Sequence, residues 1–406
     1  MRLPTLPIHA PILAAVTTLA GCGDFKLTYP DHHVCLVDSC GFQYNFPAPV
    51  VQYSTLPVAV AGGLSFKAIS LGRDRVCAVT TAGDIYCWGA IDRGTSSFHT
   101  ANSPERVVSE FSFDTVSVGN GFACAIATDK RAMCWGVNDI GQVGNGTYGV
   151  HVDAPTPVYS RVAFTTIAAG GWDVGGANGH SAFACGLGTD AIIYCWGSDD
   201  LGQLGSGAAE PNVIHVAPYP VAGNRTYSAL AGTGFATTCG LSTDRAALCW
   251  GSNAFGEFGT DGQPGTFPPT VVASDLRFVT LSTGYATCGV ATTGDTYCWG
   301  SGGMVTGSGV HPARITSIPF VSISAGAAHA CGLTSNGTAY CWGANESGQL
   351  GDGTLNRSAV PVLVNTELRF TRIVAGNDET CGLTTTGAAY CWGSDGFHSS
   401  MLGRGT

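Results

Sequence analysis

The sequence predicts an all-β protein built as a propeller, from one repeated motif and one bias in composition. The tripeptide Cys-Trp-Gly occurs seven times, and in every copy another cysteine stands ten positions earlier. The distance between the two cysteines never changes, although successive tripeptides lie 43 to 61 residues apart. A spacing that is fixed within a unit and variable between units indicates one repeated supersecondary module joined by tolerant loops. Charged residues are only 11% of the chain and glycines number 58, a composition that suits short strands and tight turns.

A late repeat shows the elements of one unit. Residues 370–376 alternate apolar and polar side chains, as expected for a half-buried strand. Residues 381–393 contain two further strands around Thr385-Thr386-Gly387, a turn in which glycine fits the positive φ. A glycine-rich crossing follows each Cys-Trp-Gly and leads to a Pro-x-x-Val strand, as at residues 361–364. Four short strands per unit are typical of a propeller blade.

The combined pattern resembles a known family. It reads Gly-x-Asn-x-x-Gly-Gln-Leu-Gly-x-Gly-Thr from Gly343, then Pro-x-x-Val, Ile-x-Ala-Gly-x-x-His and Cys-Gly-Leu-Thr-x-x-Gly-x-x-Tyr-Cys-Trp-Gly. This is similar to the repeat of the regulator of chromosome condensation. The resemblance covers residues 52–406 and implies a seven-bladed β-propeller with four-stranded antiparallel blades. Three crossings depart from the pattern: 89–100 lacks Gln-Leu-Gly, 300–309 is shortened, and 393–406 carries an insertion at 397–399.

The two ends of the array complement each other. The last repeat has no Pro-x-x-Val strand of its own, whereas the start of the array contains one without an owner, Pro57-Val58-Ala59-Val60. We expect the ring to close by pairing of the N- and C-terminal segments, with residues 57–60 beside residues 402–406. Such closure removes exposed sheet edges.

Residues 1–21 are predicted to be a lipoprotein signal peptide. Arg2 precedes an apolar stretch at residues 12–19 that is too short to span a bilayer. The sequence Leu19-Ala20-Gly21-Cys22 resembles a bacterial lipobox, which implies a diacylated Cys22. The protein would then be extracytoplasmic and lipid-anchored to a bacterial membrane, with a linker at 22–51 and the propeller at 52–406. A plain secretory signal or a buried N-terminal strand would account for the same residues.

The cysteine count fits an oxidised, exported protein. Of 17 cysteines, Cys22 would carry the lipid, which leaves an even number for disulfides. We predict one bond between Cys35 and Cys40 and one bond in each repeat, across the two strands that flank its turn. The predicted repeat pairs are Cys77 with Cys87, Cys124 with Cys134, Cys185 with Cys195, Cys239 with Cys249, Cys288 with Cys298, Cys331 with Cys341, and Cys381 with Cys391. Metal binding is the alternative, with His32-His33-x-Cys35-x4-Cys40 as its best candidate.

Charge and motifs argue against several function classes. The net charge is −10, and three lysines with no basic run argue against nucleic-acid binding. The crossings lack the helix and the Gly-Lys-Ser/Thr of a phosphate loop, and no known hydrolase or zinc-protease motif occurs. We therefore expect a monomer with no catalytic residues, no metal and no cofactor. A hydrolase site assembled only in space would escape sequence reading.

One expanded loop marks a candidate binding face. When the Pro-x-x-Val strand is counted as the first of a unit, the loop between the second and third strands has about five residues at 326–330, but in the third blade it extends over 170–181. Such an insertion is either surface drift or a recognition loop. If strands alternate in direction, this loop and the crossings emerge on one face. The candidate partner-binding residues are Tyr148, His151, Trp172, Asp173, His180 and Tyr219, and His215 is expected beside them.

The function predicted from these features is a non-enzymatic binding scaffold for a protein or glycan partner. Three alternatives stay open. The first is inhibition of a secreted enzyme, because a beta-lactamase inhibitor protein uses a similar propeller. The second is guanine-nucleotide exchange, the activity of the family's eukaryotic namesake, although the export signal and the cysteines argue against a cytosolic partner. The third is a hydrolase with a site formed by distant residues.

Overall fold

A computed structural model gives the chain as two compact units, Met1–Val51 and Gln52–Thr406. The structure describes residues 26–28, 33–37, 43–47, 53–92, 98–171, 181–207, 213–234, 236–259, 266–272, 275–300, 309–396 and 400–405. Within these ranges the regular structure consists of β-strands. None of the described residues therefore forms a helix long and apolar enough to cross a membrane.

The first unit contains a small antiparallel sheet where the composition predicts a linker. Its strands lie side by side in chain order: β1 (Lys26–Thr28), β2 (His33–Val37) and β3 (Gln43–Pro47). The linker prediction underestimated the apolar and β-branched residues of β2 and β3, which favour strands. Cys22 and Cys40 lie outside the described residues, and the side chain of Cys35 is not described. Lipidation and the eighth disulfide therefore stay predictions.

The second unit is a seven-bladed β-propeller, which confirms the predicted fold class. It begins with β4 (Tyr53–Ala59), and each blade is a four-stranded antiparallel sheet whose strands we call A, B, C and D from the centre outward. Blades 1 to 3 are formed by β5 (Phe66–Leu71), β6 (Arg75–Thr80), β7 (Ile85–Asp92) and β8 (Phe98–Arg106); β9 (Phe113–Val118), β10 (Phe122–Ala127), β11 (Ala132–Gly136) and β12 (Val152–Pro157); and β13 (Phe164–Gly170), β14 (Phe183–Gly188), β15 (Ile193–Ser198) and β16 (Ile214–Pro220).

The next three blades repeat this order. Blades 4 to 6 are formed by β17 (Tyr227–Thr233), β18 (Thr237–Ser242), β19 (Ala247–Ser252) and β20 (Thr266–Val272); β21 (Phe278–Thr283), β22 (Ala286–Ala291), β23 (Thr296–Gly300) and β24 (Ala313–Thr316); and β25 (Phe320–Ala325), β26 (His329–Thr334), β27 (Ala339–Gly343) and β28 (Ser358–Leu363).

Blade 7 closes the ring by pairing of the two ends, as predicted, but Val58 and Ala59 pair with Cys391 and Tyr390 and not with residues 402–406. It combines β29 (Phe370–Ala375), β30 (Glu379–Thr384) and β31 (Ala389–Ser394) with β4 from the start of the array as its outer strand. Beyond β4, the Ala61 N–H donates to the carbonyl of Gly403 at 2.8 Å. The two ends are thus joined by a strand pair and a further hydrogen bond, which leaves β31 paired on both sides.

Each blade carries one buried disulfide between its B and C strands. The two cysteines are directly opposed in register, as Cys124 is to Cys134, and their Cα atoms are 4.0–4.1 Å apart throughout. The seven bonds join the pairs that the fixed spacing predicts. Each closes a short loop, so each is expected to stabilise the fold by about 2–3 kcal/mol.

The hydrophobic core consists of layers between neighbouring blades. One such layer joins Leu350 of blade 6 to Phe370 and Trp392 of blade 7. The crossing of blade 6 enters this layer, where the Trp392 Nε1–H donates to the Gln349 carbonyl at 3.0 Å. We call this contact between a crossing and the tryptophan of the next blade a latch. Gly351 lies against the indole so closely that a Cβ there would stand 2.6 Å from Nε1. The repeated tryptophan and the glycine-rich crossing are therefore two halves of one inter-blade contact, which places the tryptophans in the core as predicted.

Candidate binding site: the loop face and the central channel

The A–B loops and the C–D crossings emerge at the same end of the propeller. Because the four strands of a blade are antiparallel neighbours in the order A, B, C, D, alternate connections lie at opposite ends. We call the end with the A–B loops and the crossings the loop face. The B–C turns and the D–A connections lie at the other end.

Three of the candidate binding residues cannot be placed. Trp172, Asp173 and His180 lie outside the described residues, so the expanded loop stays a prediction. Tyr148, in the crossing of blade 2, is 61% exposed. His151 follows it, and its imidazole is mostly covered, with Nε2 3.5 Å from a carboxylate oxygen of Asp153. An ion pair of this length with an exposed carboxylate contributes little free energy.

The other two residues lie on the outer D strand of blade 3, with their ring centroids 5.3 Å apart. His215 is at the loop-face end, where its partner on the C strand is Gly197. Tyr219 pairs with Cys195, further down the blade, because the D strand runs away from the loop face. Tyr219 is thus on the outer wall of the propeller, which corrects the expectation that it belongs to the loop face.

The structure adds apolar neighbours to Tyr148. The crossing of blade 2 lies against the D strand of blade 3, where the Gly146 N–H donates to the Val216 carbonyl at 2.8 Å. Tyr159 lies in the connection from blade 2 to blade 3, and its N–H donates to the Gly144 carbonyl at 2.8 Å. This bond holds the connection beside the crossing of blade 2. Together these three segments expose a set of large apolar side chains that we call the rim patch: Tyr148, Val150, Tyr159, Val213, Ile214 and Tyr219.

The rim patch concentrates exposed aromatic rings. The four most exposed tyrosines of the described residues are Tyr148, Tyr159 and Tyr219 in the rim patch and Tyr53 on blade 7. Single exposed apolar side chains are ordinary on a protein surface, whereas a cluster of them is typical of an interaction site. Tyrosine is also favoured at interfaces, because it supplies a large contact area and a hydroxyl.

The A strands surround a central channel with a cavity of about 690 Å³. In four A strands the last residue but one is a serine that joins neighbouring blades. Their hydroxyl oxygens accept the N–H of the next A strand at 2.9–3.0 Å: Ser70 from Val118, Ser117 from Ala169, Ser282 from Ala325, and Ser324 from Ala375. These bonds satisfy edge N–H groups that face the channel, and they fix the spacing of the blades around it.

Two cations among the described residues line this channel, Arg73 in the A–B loop of blade 1 and Arg372 on a strand. Arg372 is on the A strand of blade 7, and its side chain is accessible to solvent in the channel. Burial by the surrounding walls is the cause of a lowered pKa for its guanidinium. No hydrogen bond or ion pair to its side chain exists among the described residues.

Acidic groups lie at the mouth of the channel on the loop face. Asp378 is in the A–B loop of blade 7, where burial and then the charge of Glu346 raise its pKa. Burial raises the pKa of Glu379 to about 8, although its carboxylate accepts the N–H groups of Asn377 and Asp378 at 3.3 and 3.1 Å. Elsewhere, too, the described residues contain no group of three or more side chains able to hold a metal ion.

A buried histidine lies near this loop but is not arranged for catalysis. The Thr380 hydroxyl donates to the Gln349 carbonyl at 2.9 Å, so its oxygen accepts from His329 Nε2 at 2.8 Å. Both side chains are fully buried, and burial lowers the pKa of His329 to about 4. The imidazole therefore stays neutral and cannot activate a hydroxyl that already donates elsewhere. The pair serves the blade 6 to blade 7 contact.

Sequence reasoning missed Arg372, Glu379 and His329. The signal that could have found Arg372 is its position within the repeat, because the other six blades carry Ala, Thr or Ser there. Glu379 and His329 likewise share one repeat position, two residues before the first cysteine. What the sequence could not provide is the channel that brings the A strands together.

The comparisons with known proteins agree with this architecture. Profiles of the Regulator of chromosome condensation (RCC1) repeat match residues 113–142, 320–349 and 370–398, and a second profile of that repeat matches residues 336–383. The chain therefore contains RCC1 repeats. It is similar to the E3 ubiquitin-protein ligase HERC2 of Homo sapiens and of Mus musculus, with 27% identity over 209 residues. That match covers 47% of this chain and only 4% of either relative, so the chain spans a small part of their length.

Solved structures share the fold at low sequence identity. Human WBSCR16 is 16% identical with a TM-score of 0.69, and the match covers 86% of this chain and 91% of that one. Prp20p from Saccharomyces cerevisiae is 18% identical with a TM-score of 0.61, and the match covers 80% of this chain and 81% of that one. These likenesses support a propeller of RCC1 type.

Proposed function

We propose that this chain is a non-enzymatic binding protein that presents the crossing of blade 2 and the adjoining outer wall of blades 2 and 3 to a protein or glycan partner. The observation that carries the proposal is the rim patch, in which Tyr148 and Tyr159 are 61% and 75% exposed. Exposed tyrosines on a fixed backbone can fill a partner's pockets with few side-chain rotamers to order. The expanded loop at 170–181 stays a separate prediction from the sequence.

The rigidity of the ring supports a binding role. A tryptophan latch joins neighbouring blades at five junctions of the described structure, where the indole N–H donates to a crossing carbonyl: at Trp88, Trp196, Trp250, Trp299 and Trp392. Each blade is also cross-linked between its B and C strands. A preformed surface loses little conformational entropy on binding, so more of its contact energy appears as affinity. The protein is proposed to act as a monomer.

The proposed location is the extracytoplasmic side of a bacterial membrane, with Cys22 lipidated. Seven disulfides support an oxidising compartment, since thiols are kept reduced in the cytosol. The lipobox-like sequence before Cys22 supports the anchor. Cys22→Ala should therefore release the full-length protein from the membrane fraction, and retention after a salt wash would contradict the anchor.

The proposal also holds that no reaction occurs. The burial of His329 and Glu379 supports this, because a general acid or base must come within hydrogen-bond reach of its substrate. The main alternative is nucleotide exchange. It draws on the likeness to Prp20p, whose structure is described with its binding to Gsp1p and histones. At 18% identity that likeness concerns the fold, so exchange is kept as an outcome of the test.

A photo-cross-linking experiment tests the rim patch. The full-length chain carries p-benzoylphenylalanine in place of Tyr159 or, in a second sample, Tyr148, and is irradiated in intact cells. The control carries the same group in place of Tyr53 on blade 7, an exposed tyrosine outside the rim patch. We expect a discrete cross-linked species from the two rim positions and none from position 53.

The affinity for the species so identified is then measured with variants. Tyr148→Ser combined with Tyr159→Ser should weaken binding by about tenfold or more, as expected for two interface tyrosines, while Tyr53→Ser should not. Equal cross-linking from all three positions, or full affinity in the double variant, would contradict the rim patch. Accelerated nucleotide release from a captured GTPase would favour exchange instead.

A further inference from the structure

Arg372 occupies a position that is small in every other blade. It is the third residue of its A strand and pairs with Leu383 of the B strand. The corresponding residues of blades 1 to 6 are Ala68, Thr115, Thr166, Ala229, Thr280 and Ser322. Nothing in the blade architecture requires a long cation here, since six blades form the same strand pair without one.

The guanidinium has no counter-ion in the described part of the chain. No carboxylate lies within ion-pair distance of it, and no hydrogen bond to its side chain is formed. Asp378 lines the same channel near its mouth, but burial is the only cause of the shift in the pKa of Arg372. Its side chain is open to the solvent of the channel and forms no hydrogen bond or ion pair with a described residue, so the guanidinium is available to a ligand.

The serines of the channel add hydrogen-bond donors to this cation. Ser70, Ser117, Ser282 and Ser324 each use an oxygen lone pair to accept a backbone N–H. The hydroxyl proton of each has no acceptor among the described residues. A serine hydroxyl has one proton to donate, and here that proton is available to a group inside the channel. The side chains of the channel wall thus favour a ligand rich in acceptors.

We propose that the central channel binds a carboxylate group, with the guanidinium of Arg372 as its anchor and the channel serines as further donors. The planar guanidinium matches a carboxylate through two parallel N–H···O bonds. A cavity of about 690 Å³ also has the size of a small-ligand site. The carboxylate could belong to a free small acid or to the C-terminus of a chain that enters from the loop face.

This inference deepens the proposed function by naming a ligand chemistry, and it rests on the binding role proposed there. The rim patch and the channel share no residue. Loss of one binding activity without the other therefore shows which of the two proposals has failed. The Tyr148→Ser, Tyr159→Ser double variant is expected to keep full binding in the channel.

The test is isothermal titration calorimetry on the full-length protein at fixed ionic strength. The probes are succinate, acetyl-triglycine as the free acid, and the same peptide with an amidated C-terminus. We expect binding of at least one free acid and none of the amide. Arg372→Gln should weaken binding of the acid by about tenfold or more, and Arg372→Lys should lose less because the charge is kept.

A matched control separates the channel from general surface charge. The guanidinium of Arg369 donates to the carbonyls of Glu367 and Leu368, and Arg369 does not line the channel. Arg369→Gln changes the net charge equally and should keep wild-type binding. Thermal melting of both variants checks the fold, and Arg372→Gln is expected to melt no lower than wild type.

The arms of the titration give distinct results. Succinate alone would assign the site to a small free acid, and the acid peptide alone would assign it to a chain terminus. Equal binding of acid and amide, no binding of either acid at millimolar concentrations, or unchanged affinity in Arg372→Gln would overturn the proposal.

Discussion

Two neighbouring junctions of the ring are built differently, and the difference begins in their crossings. Between blades 6 and 7, the Gln349 carbonyl accepts from Trp392 Nε1 at 3.0 Å and from the Thr380 hydroxyl at 2.9 Å. Between blades 5 and 6, the crossing is the shortened one, and the buried Nε1–H of Trp342 has no hydrogen-bond partner in the described ranges. The two indoles are equally buried, so the junctions differ in bonding and not in burial.

The aromatic packing differs as well. Trp342 stacks on Phe320 with an interplanar angle of 10° and ring centroids 5.8 Å apart. At the other junction Trp392 meets Phe370 at 44° and 5.9 Å. Among the described residues, the indole of blade 6 thus keeps its place in the core without the carbonyl bond that holds the indole of blade 7. A buried N–H without an acceptor costs about 1–3 kcal/mol.

The largest expected effect is at the glycine of the intact latch. Gly351 has φ +67°, and a Cβ there would lie 2.6 Å from Trp392 Nε1, so Gly351→Ala adds a steric clash to backbone strain. We expect a loss of about 3 kcal/mol or more. Gly294 in the B–C turn of blade 5 is the control, because its φ is +92° but nothing lies within 4 Å. Gly294→Ala should cost about 1 kcal/mol from strain alone. Urea unfolding midpoints measure both, and equal losses would mean that the latch is not closely packed.

The latch also explains why the fold could be predicted from the sequence. Its parts recur at fixed local offsets: the crossing, the Cys-Trp-Gly tripeptide and the cysteine ten residues earlier. Local periodic features specify a blade, and the number of copies then specifies the ring. The strands at residues 26–47 were not predicted, because three short strands without a repeat resemble a linker in composition.

A smaller effect compares the two tryptophans directly. Trp392→Phe removes the hydrogen bond to Gln349, whereas Trp342→Phe removes an N–H that has no acceptor among the described residues. Both variants lose similar volume, so the cost of that loss cancels in the comparison. We expect Trp392→Phe to be the more destabilising by about 1–2 kcal/mol. Thermal or urea unfolding of the two variants gives the difference, and a larger loss at Trp342 would show that its stacking on Phe320 outweighs the missing bond.

The candidate site was less predictable than the fold, for a physical reason. Tyr148 could be named because a crossing on one face follows from strand alternation alone. The position of Tyr219 on the outer wall depends on how far down the strand it lies, which requires the register. Arg372 needed the three-dimensional channel, since a cation on an alternating strand looks like an ordinary solvent-facing residue.

The smallest expected effect concerns the crossing of blade 4, where a glutamate replaces the glutamine that other crossings carry in the latch. Glu257 stands where blades 2, 3 and 6 have Gln142, Gln203 and Gln349. Its carboxylate accepts the Phe255 N–H at 2.8 Å, as the Gln349 amide oxygen accepts from Ser347 at 2.9 Å. The acid is fully buried, and burial raises its pKa above the ordinary 4.5.

Because the folded state holds this proton more tightly than the unfolded state, the contribution of Glu257 to stability is greatest below pH 4.5. It is lost as the pH rises through the raised folded-state pKa. Glu257→Gln keeps the acceptor without the charge, so it should stabilise the protein by about 1 kcal/mol at neutral pH and by less in acid. Gln349→Glu is the matched reverse change and should destabilise blade 6 with the same pH dependence. Melting temperatures of both variants between pH 4 and pH 8 measure the effect. If Glu257→Gln raised the melting temperature equally at all pH values, the pKa of Glu257 would be unchanged by folding. Its hydrogen bonds would then offset the effect of burial on the carboxylate.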